Sequence, residues 1–296
     1  MWRAAIRAAL PASFGVSRAP RALIAWRGRP GPTRWAASAA HEGHPLRGGK
    51  VAVVTGAGRG LGLEFTRQLL ERGNSVCALY RTESAELEAL KASGGGHLHT
   101  FQVDLEDEAS ILAACAGVAG SGVERVDALF NVAGLLHDKS RSPSLPETAL
   151  ARIKMDDAVR GFKINAIAPA LLAGNLSSLL FKSDRAIVVN LSARVGSVTD
   201  NAVGGWYSYR ASKSAVNSLT KTMSIEFTNR KRPVTAIALH PGTCDTDLSA
   251  PYTKNYKNPV FPKELAVQQL LDVVESVRPV EQQGVFLDWE GKPVPW

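Results

Sequence analysis

Cysteine is scarce, with only Cys77, Cys115 and Cys244 scattered through 296 residues. They are too few and too far apart for a disulfide framework, and no metal-ligand spacing surrounds them, so no metal site is expected. They read as small buried hydrophobes in a reducing compartment. No apolar run approaches the roughly 18 residues that a membrane helix needs, so no span is expected. Carboxylates are missing from one end: Glu42 is the first, while residues 1–40 hold seven arginines and no lysine. Without those seven, 28 bases face 27 acids in the rest of the chain. The net charge of +8 is therefore local. It does not describe a basic face on the body, and no nucleic-acid partner is expected.

The acid-free start holds Arg3, Arg7, Arg18, Arg21, Arg27, Arg29 and Arg34 among many alanines. Trp2, Ile6 and Leu10 recur every four residues beside Arg3 and Arg7, which predicts a short amphipathic helix ended by Pro11. Residues 1–40 are therefore expected to be an organelle-targeting leader. Arginines this close to Met1 favour the mitochondrial matrix over chloroplast or cytoplasm. A disordered basic tail is the plainer alternative. Residues 41–48 read as a flexible linker, and residues 49–296 as one domain. Hydrophobic residues at 45% and charged residues at 21% fit a folded body.

From Lys50 the pattern alternates. Strands are expected at Lys50–Thr55, Ser75–Leu79, His97–Val103, Val126–Asn131, Arg185–Leu191, Val234–Leu239 and Gly284–Asp288. Helices are expected at Leu61–Arg72, Glu83–Ala92, Glu106–Ala119, Trp206–Asn229 and Lys263–Val277, with Ile153–Leu180 mostly helical. Asp104 or Asp107 would cap the third helix. Leu135–Glu147 reads as irregular. Such alternation predicts an α/β fold: one doubly wound, Rossmann-type parallel sheet of about seven strands with helices on both faces.

The first strand runs into Thr55-Gly56-Ala57-Gly58-Arg59-Gly60-Leu61-Gly62. A glycine turn opening a helix lets backbone approach a pyrophosphate and aims free N–H groups at its charge. The second strand ends in Tyr80-Arg81 without an acid. Arg81, with Arg59 in the turn, therefore favours the 2′-phosphate of NADP(H) over NAD.

Tyr209 and Lys213 are four apart near the start of a helix, so both project from one face. A neighbouring ammonium is expected to lower the phenol pKa and so suit Tyr209 to general acid catalysis. Asn165 lies in a helix with Pro169 four residues on. Proline has no N–H, so the Asn165 carbonyl loses its usual donor and is free for another partner, such as water.

The body resembles the short-chain dehydrogenase/reductase family, most of all its sniffer and C-factor branch. The likeness rests on Thr55–Gly62, Asn131-Val-Ala-Gly134, Asn165, Tyr209-x-x-x-Lys213 and Pro241-Gly242. The text from Gly204 to Lys213, His240 to Gly242 and Gly284 to Trp296 extends it over residues 50–296. The resemblance implies that Gly56, Arg59, Gly60, Leu61 and Gly62 line the pyrophosphate and ribose. It places Asp104 and Leu105 by the adenine, and Asn131, Ala133 and Gly134 along the cofactor. Lys213 would also hold the nicotinamide ribose. Pro241, Gly242 and Thr243 would sit by the nicotinamide, and Thr246 near its carboxamide. It further implies Tyr209 as acid, a proton-relay water on the Asn165 main chain, a small carbonyl substrate, and a homodimer or tetramer.

One expected residue is missing. Relatives carry Asn-x-Ser-Ser after the fifth strand, and the second serine holds the substrate oxygen. Here the text is Asn190-Leu191-Ser192-Ala193, so that second position is Ala193. Adjacent residues of an extended strand face opposite ways, so Ser192 replaces it only through a bulge or strand end. Two expectations follow: a carbonyl reductase served by Ser192 or water, or a catalytically silent NADP-binding interaction protein. The stretch Asp247–Lys263 is expected to cover the pocket, with Pro251, Tyr252, Tyr256 and Phe261 making it partly aromatic.

Overall fold

The computed structural model describes residues 46, 48–138, 146–253, 259–278 and 281–296. The expected leader and Tyr256 lie outside the described residues, as does most of the expected linker.

Seven strands form one parallel sheet: β1 Val51–Thr55, β2 Ser75–Tyr80, β3 Leu98–Gln102, β4 Ala128–Asn131, β5 Ala186–Leu191, β6 Val234–His240 and β7 Phe286–Asp288. Their spatial order is β3-β2-β1-β4-β5-β6-β7. The chain winds outward from β1 to β3, then crosses to β4 on the other side of β1. That reversal opens a crevice at the carboxyl ends of β1 and β4, where α/β sheets place ligands.

The strands are apolar on both faces because helices cover both. Ala52 and Val54 join one core cluster with Phe65, Leu69, Leu270 and Val274, from α1 (Gly60–Glu71) and α9 (Lys263–Ser276). Leu87 of α2 (Ala85–Ser93) belongs to the same cluster. Val53, between them in the strand, joins the opposite cluster with Ile111 and Val118 of α3 (Glu108–Gly120). Leu172 of α5 (Ala168–Asn175), Leu180 of α6 (Ser177–Leu180) and Phe227 of α7 (Tyr207–Asn229) complete that side. The period-2 alternation of side chains makes this division.

Of the two candidate caps for α3, Asp107 does the work: its carboxylate accepts the Ala109 N–H at 3.0 Å. The expected long helix at Ile153–Leu180 is divided into α4 (Met155–Phe162), a π turn at Lys163–Ile167, α5 and α6. Pro169 sits just after the π turn, and the Ala168 N–H reaches back to the Lys163 carbonyl, five residues away. Widening the ring accommodates a proline that cannot donate. A four-residue α8, Ala250–Thr253, follows β6. Among the described residues no helix is long and apolar enough to cross a membrane.

Candidate active site

The glycine turn leaves β1 and opens α1. Arg59 stands at the helix N-cap in extended conformation and gives no side-chain cap, and the first turn carries no acid. The N–H groups of that turn thus keep a free positive end for an anion. At Gly62 a Cβ would lie 2.2 Å from the Gly56 carbonyl oxygen, so only glycine permits the turn. This cradle fits a dinucleotide pyrophosphate.

The two arginines stand differently. Arg81 is exposed at the end of β2. Arg59 is also exposed, but Nη1 lies 3.1 Å from Asp247 Oδ2, in the segment after β6. Asp104 shapes the turn after β3, accepting the Glu106 N–H at 2.9 Å, with Leu105 half-buried beside it. Thr55 ends β1 and accepts the N–H groups of Val132 and Ala133 at 3.0 and 3.1 Å. That draws Asn131-Val-Ala-Gly134 over the glycine turn. Asn131 itself is buried: Nδ2 donates to Asn190 Oδ1 at 2.7 Å, and its Oδ1 has no partner among the described residues. Pro241, Gly242 and Thr243 follow β6, with Phe261 accounting for their position: its N–H donates to the Thr243 carbonyl at 2.8 Å. Thr246 lies within 3.9 Å of a Cβ at Gly60, so the segment after β6 and the glycine turn face each other.

Lys213 is buried, with Nζ donating to the Leu191 carbonyl at 2.7 Å. A Cβ at Gly134 would meet Asn165 Oδ1 at 3.5 Å and Lys213 Nζ at 3.6 Å. The loop after β4, the π turn and α7 therefore bring these three residues to one place. Nζ lies 5.8 Å from the centroid of the Tyr209 ring.

Burial overturns one electrostatic expectation. Desolvation pushes the Tyr209 hydroxyl above its ordinary value rather than below it. The same cause brings the Lys213 ammonium down to about 8. Both groups resist their charged forms in this low-dielectric setting. A protonated phenol is the form a general acid must start from.

The Asn165 side chain does more than its sequence context suggested. Nδ2 donates to the Leu135 carbonyl at 2.7 Å and to Ser212 Oγ at 2.9 Å, while Oδ1 accepts the Leu135 N–H at 2.7 Å. It pins the loop after β4 to α7. Ser192 is buried, and its hydroxyl points to the Lys213 main-chain carbonyl at 3.5 Å. Ala193 is extended, with φ −148° and ψ 149°. Ser197 is committed elsewhere, to the Trp296 carbonyl at 3.3 Å and the Asp200 N–H at 3.1 Å.

Sequence reasoning passed over Glu147 and Arg210 and read Trp206 as the first helical residue. Trp206 instead precedes α7 in left-handed conformation, φ 50° and ψ 46°. The adjacent Gly204-Gly205 pair was the available signal for an unusual turn.

A family model described as short chain dehydrogenase matches residues 50–257. The C-signal of Myxococcus xanthus is 32% identical over 171 residues, which is 58% of this chain and 93% of that protein. Among solved structures, the fold is similar to the NADPH-bound carbonyl reductase from chicken fatty liver. That match has a TM-score of 0.72 at 29% identity and covers 85% of this chain and 100% of the other. Carbonyl reductase Sniffer of D. melanogaster shares the fold with a TM-score of 0.72 at 24% identity, covering 84% and 100%.

Proposed function

The chain belongs to the short chain dehydrogenase family, and on that premise we propose that it is an NADPH-dependent carbonyl reductase acting on a small carbonyl substrate. The observation that carries this reading is the convergence of Gly134, Asn165 and Lys213 beside Tyr209 at the crevice between β1 and β4. The likeness to an NADPH-bound carbonyl reductase supports it.

Bound NADPH would supply the hydride. The uncapped start of α1 would hold the pyrophosphate, and Arg81 would meet the 2′-phosphate. Arg59 could join it by exchanging Asp247 for the phosphate. Tyr209 would donate its hydroxyl proton to the substrate oxygen. Lys213, fixed on the Leu191 carbonyl, would steady the developing phenolate. Asn165 would keep the loop after β4 in place. We further propose that residues 1–40 direct the chain to the mitochondrial matrix.

Ala193 favours a second reading, a catalytically silent NADP-binding interaction protein. Loss of one oxyanion donor removes about 10²–10³ in rate, so it weakens a reductase without abolishing it. The test is NADPH consumption by the full chain over aldehydes, ketones and quinones, beside Tyr209→Phe. The expected result is turnover that falls by at least about 10²-fold in the variant. NADPH binding without turnover on any carbonyl would establish the second reading instead.

A further inference from the structure

We propose that Glu147 and Arg210 are positioning residues for proton transfer: together they set where Tyr209 stands against residue 193. This deepens the reductase reading and rests on it. Helix α7 starts without the usual supports. Trp206 at its N-cap gives no side-chain cap, and the first turn carries no acid. The free N–H groups of a helix start need acceptors from elsewhere. Trp206 is also one of only two non-glycine residues, among those described, with positive φ. A bulky residue in that region is strained and persists only where its surroundings impose it.

Glu147 supplies what the helix lacks. It comes from the stretch before α4, 61 residues ahead of Ser208, and is only 9% exposed. Its Oε2 accepts the Ser208 N–H at 3.4 Å, and its Oε1 accepts the Ser208 hydroxyl. A carboxylate there also meets the positive end of the helix dipole. The Glu147 main-chain carbonyl accepts the Trp206 N–H. Gly204 and Gly205, both with φ of 69°, let the chain turn past it. One residue therefore caps the helix from a distance and anchors the strained turn before it.

Arg210 joins that turn to a second one. It donates to the Gly204 carbonyl at 3.0 Å through Nη2 and to the Gly205 carbonyl at 2.9 Å through Nε. Nη1 donates to the Val195 carbonyl at 3.2 Å. Val195 lies in the turn Arg194–Gly196, directly after Ala193. The planar guanidinium fork can hold all three carbonyls at once, which an ammonium cannot. Ser214 and Asn217, four and seven residues on along the same helix face, donate to the Gly196 carbonyl at 2.7 and 3.3 Å. A Cβ at Gly196 would fall 2.7 Å from Lys213 Cβ, so only glycine lets this turn pack so closely on α7. The Trp206 indole lies 6.2 Å from the Tyr209 ring, edge-on at 73°, so the clamp bears on the ring itself. Proton transfer is sensitive to such placement: a displacement of about 1 Å costs about 10²-fold in rate.

The experiment uses the full chain with NADPH and two probes, 4-nitrobenzaldehyde and hexane-2,3-dione, beside Tyr209→Phe. Circular dichroism fixes a temperature at which each variant is folded. Glu147→Ala and Arg210→Met are each expected to lower kcat by at least about tenfold. The KM for the probe and the NADPH dissociation constant should change little, since the lost interaction acts in the transition state. Glu147→Gln keeps an acceptor for the Ser208 N–H and should recover most of the kcat. Because both residues act on one turn, the double variant should lose less than the product of the single losses. Folded variants with wild-type kcat overturn the inference, as does a loss confined to KM or to NADPH affinity. If the alanine and methionine variants do not fold, Arg210→Lys decides. It keeps one donor in place of the fork, so a lowered kcat upholds the inference and a wild-type kcat overturns it. Turnover that Tyr209→Phe abolishes but the clamp variants leave unchanged overturns the inference alone. No turnover by the wild-type chain removes the reductase reading and the inference with it.

Discussion

Ala193 stands at the position where the family resemblance leads one to expect a serine. The backbone there is extended, and the position is half-buried. Its neighbour Ser192 is buried with its hydroxyl toward the main chain of α7. β5 ends at Leu191, so both residues lie just past the strand end. Ala193→Ser is expected to raise kcat by about 10²-fold with little change in KM, since an oxyanion donor acts mainly on the transition state. Steady-state kinetics on any turned-over carbonyl would check it. If Ser192 already supplies the donor, Ala193→Ser would gain little and Ser192→Ala would lose activity. At this scale the sequence was legible where chemistry needs a residue type at a fixed spacing, as in Tyr209 and Lys213. It was silent where a residue acts through tertiary burial. The Tyr209-to-Lys213 spacing alone did not announce that desolvation raises the Tyr209 pKa.

The π turn at Lys163–Ile167 shows how an element can be half legible. Pro169 announced that the helix would be disturbed, and it was. The direction of the Asn165 side chain was not announced, because Leu135 lies 30 residues away and Ser212 lies 47 away. The clamp that Asn165 makes is the link between α7 and the loop after β4. Replacing it with alanine removes three hydrogen bonds and strands the Leu135 N–H and C=O. Groups left unpaired in this way cost about 1–3 kcal/mol each. Asn165→Ala is therefore expected to lower stability by about 3 kcal/mol in urea unfolding. A loss below about 1 kcal/mol would mean that the π turn keeps its geometry without the clamp. The strands, by contrast, were readable almost to the residue. Their apolar runs are bounded by glycine or polar residues, and a sheet covered on both faces requires such runs.

The whole molecule carries its buried titratable groups in a way that sets a pH range for stability. Burial raises the thiols of Cys77 and Cys115 from an ordinary value of 9.0 to about 11, and that of Cys244 to about 12. Between pH 9 and those values the unfolded chain gives up thiol protons that the folded chain keeps, so stability falls as pH rises. Each such group contributes about 1.4 kcal/mol per pH unit. Lys213 acts in the opposite sense. Its ammonium is brought from 10.5 to about 8, so the unfolded chain binds the extra proton and stability rises over that window. Three thiols outweigh one lysine, leaving a net fall of about 3 kcal/mol per unit between pH 9 and 10.5. On the acid side, burial and the nearby Arg194 bring His240 from 6.5 down to about 3. The unfolded chain gains a proton there first, so stability is lost as pH falls below 6.5. Urea midpoints measured in reductant from pH 5 to 10.5 should rise to pH 6.5, stay level to about pH 8, rise again to pH 9 as Lys213 titrates, and fall above it. Cys115→Ala should lessen the alkaline slope by about 1.4 kcal/mol per unit whatever its effect on the plateau height. An unchanged slope would mean that Cys115 titrates alike in both states, against its burial in the cluster it shares with Ile111 and Val118 of α3.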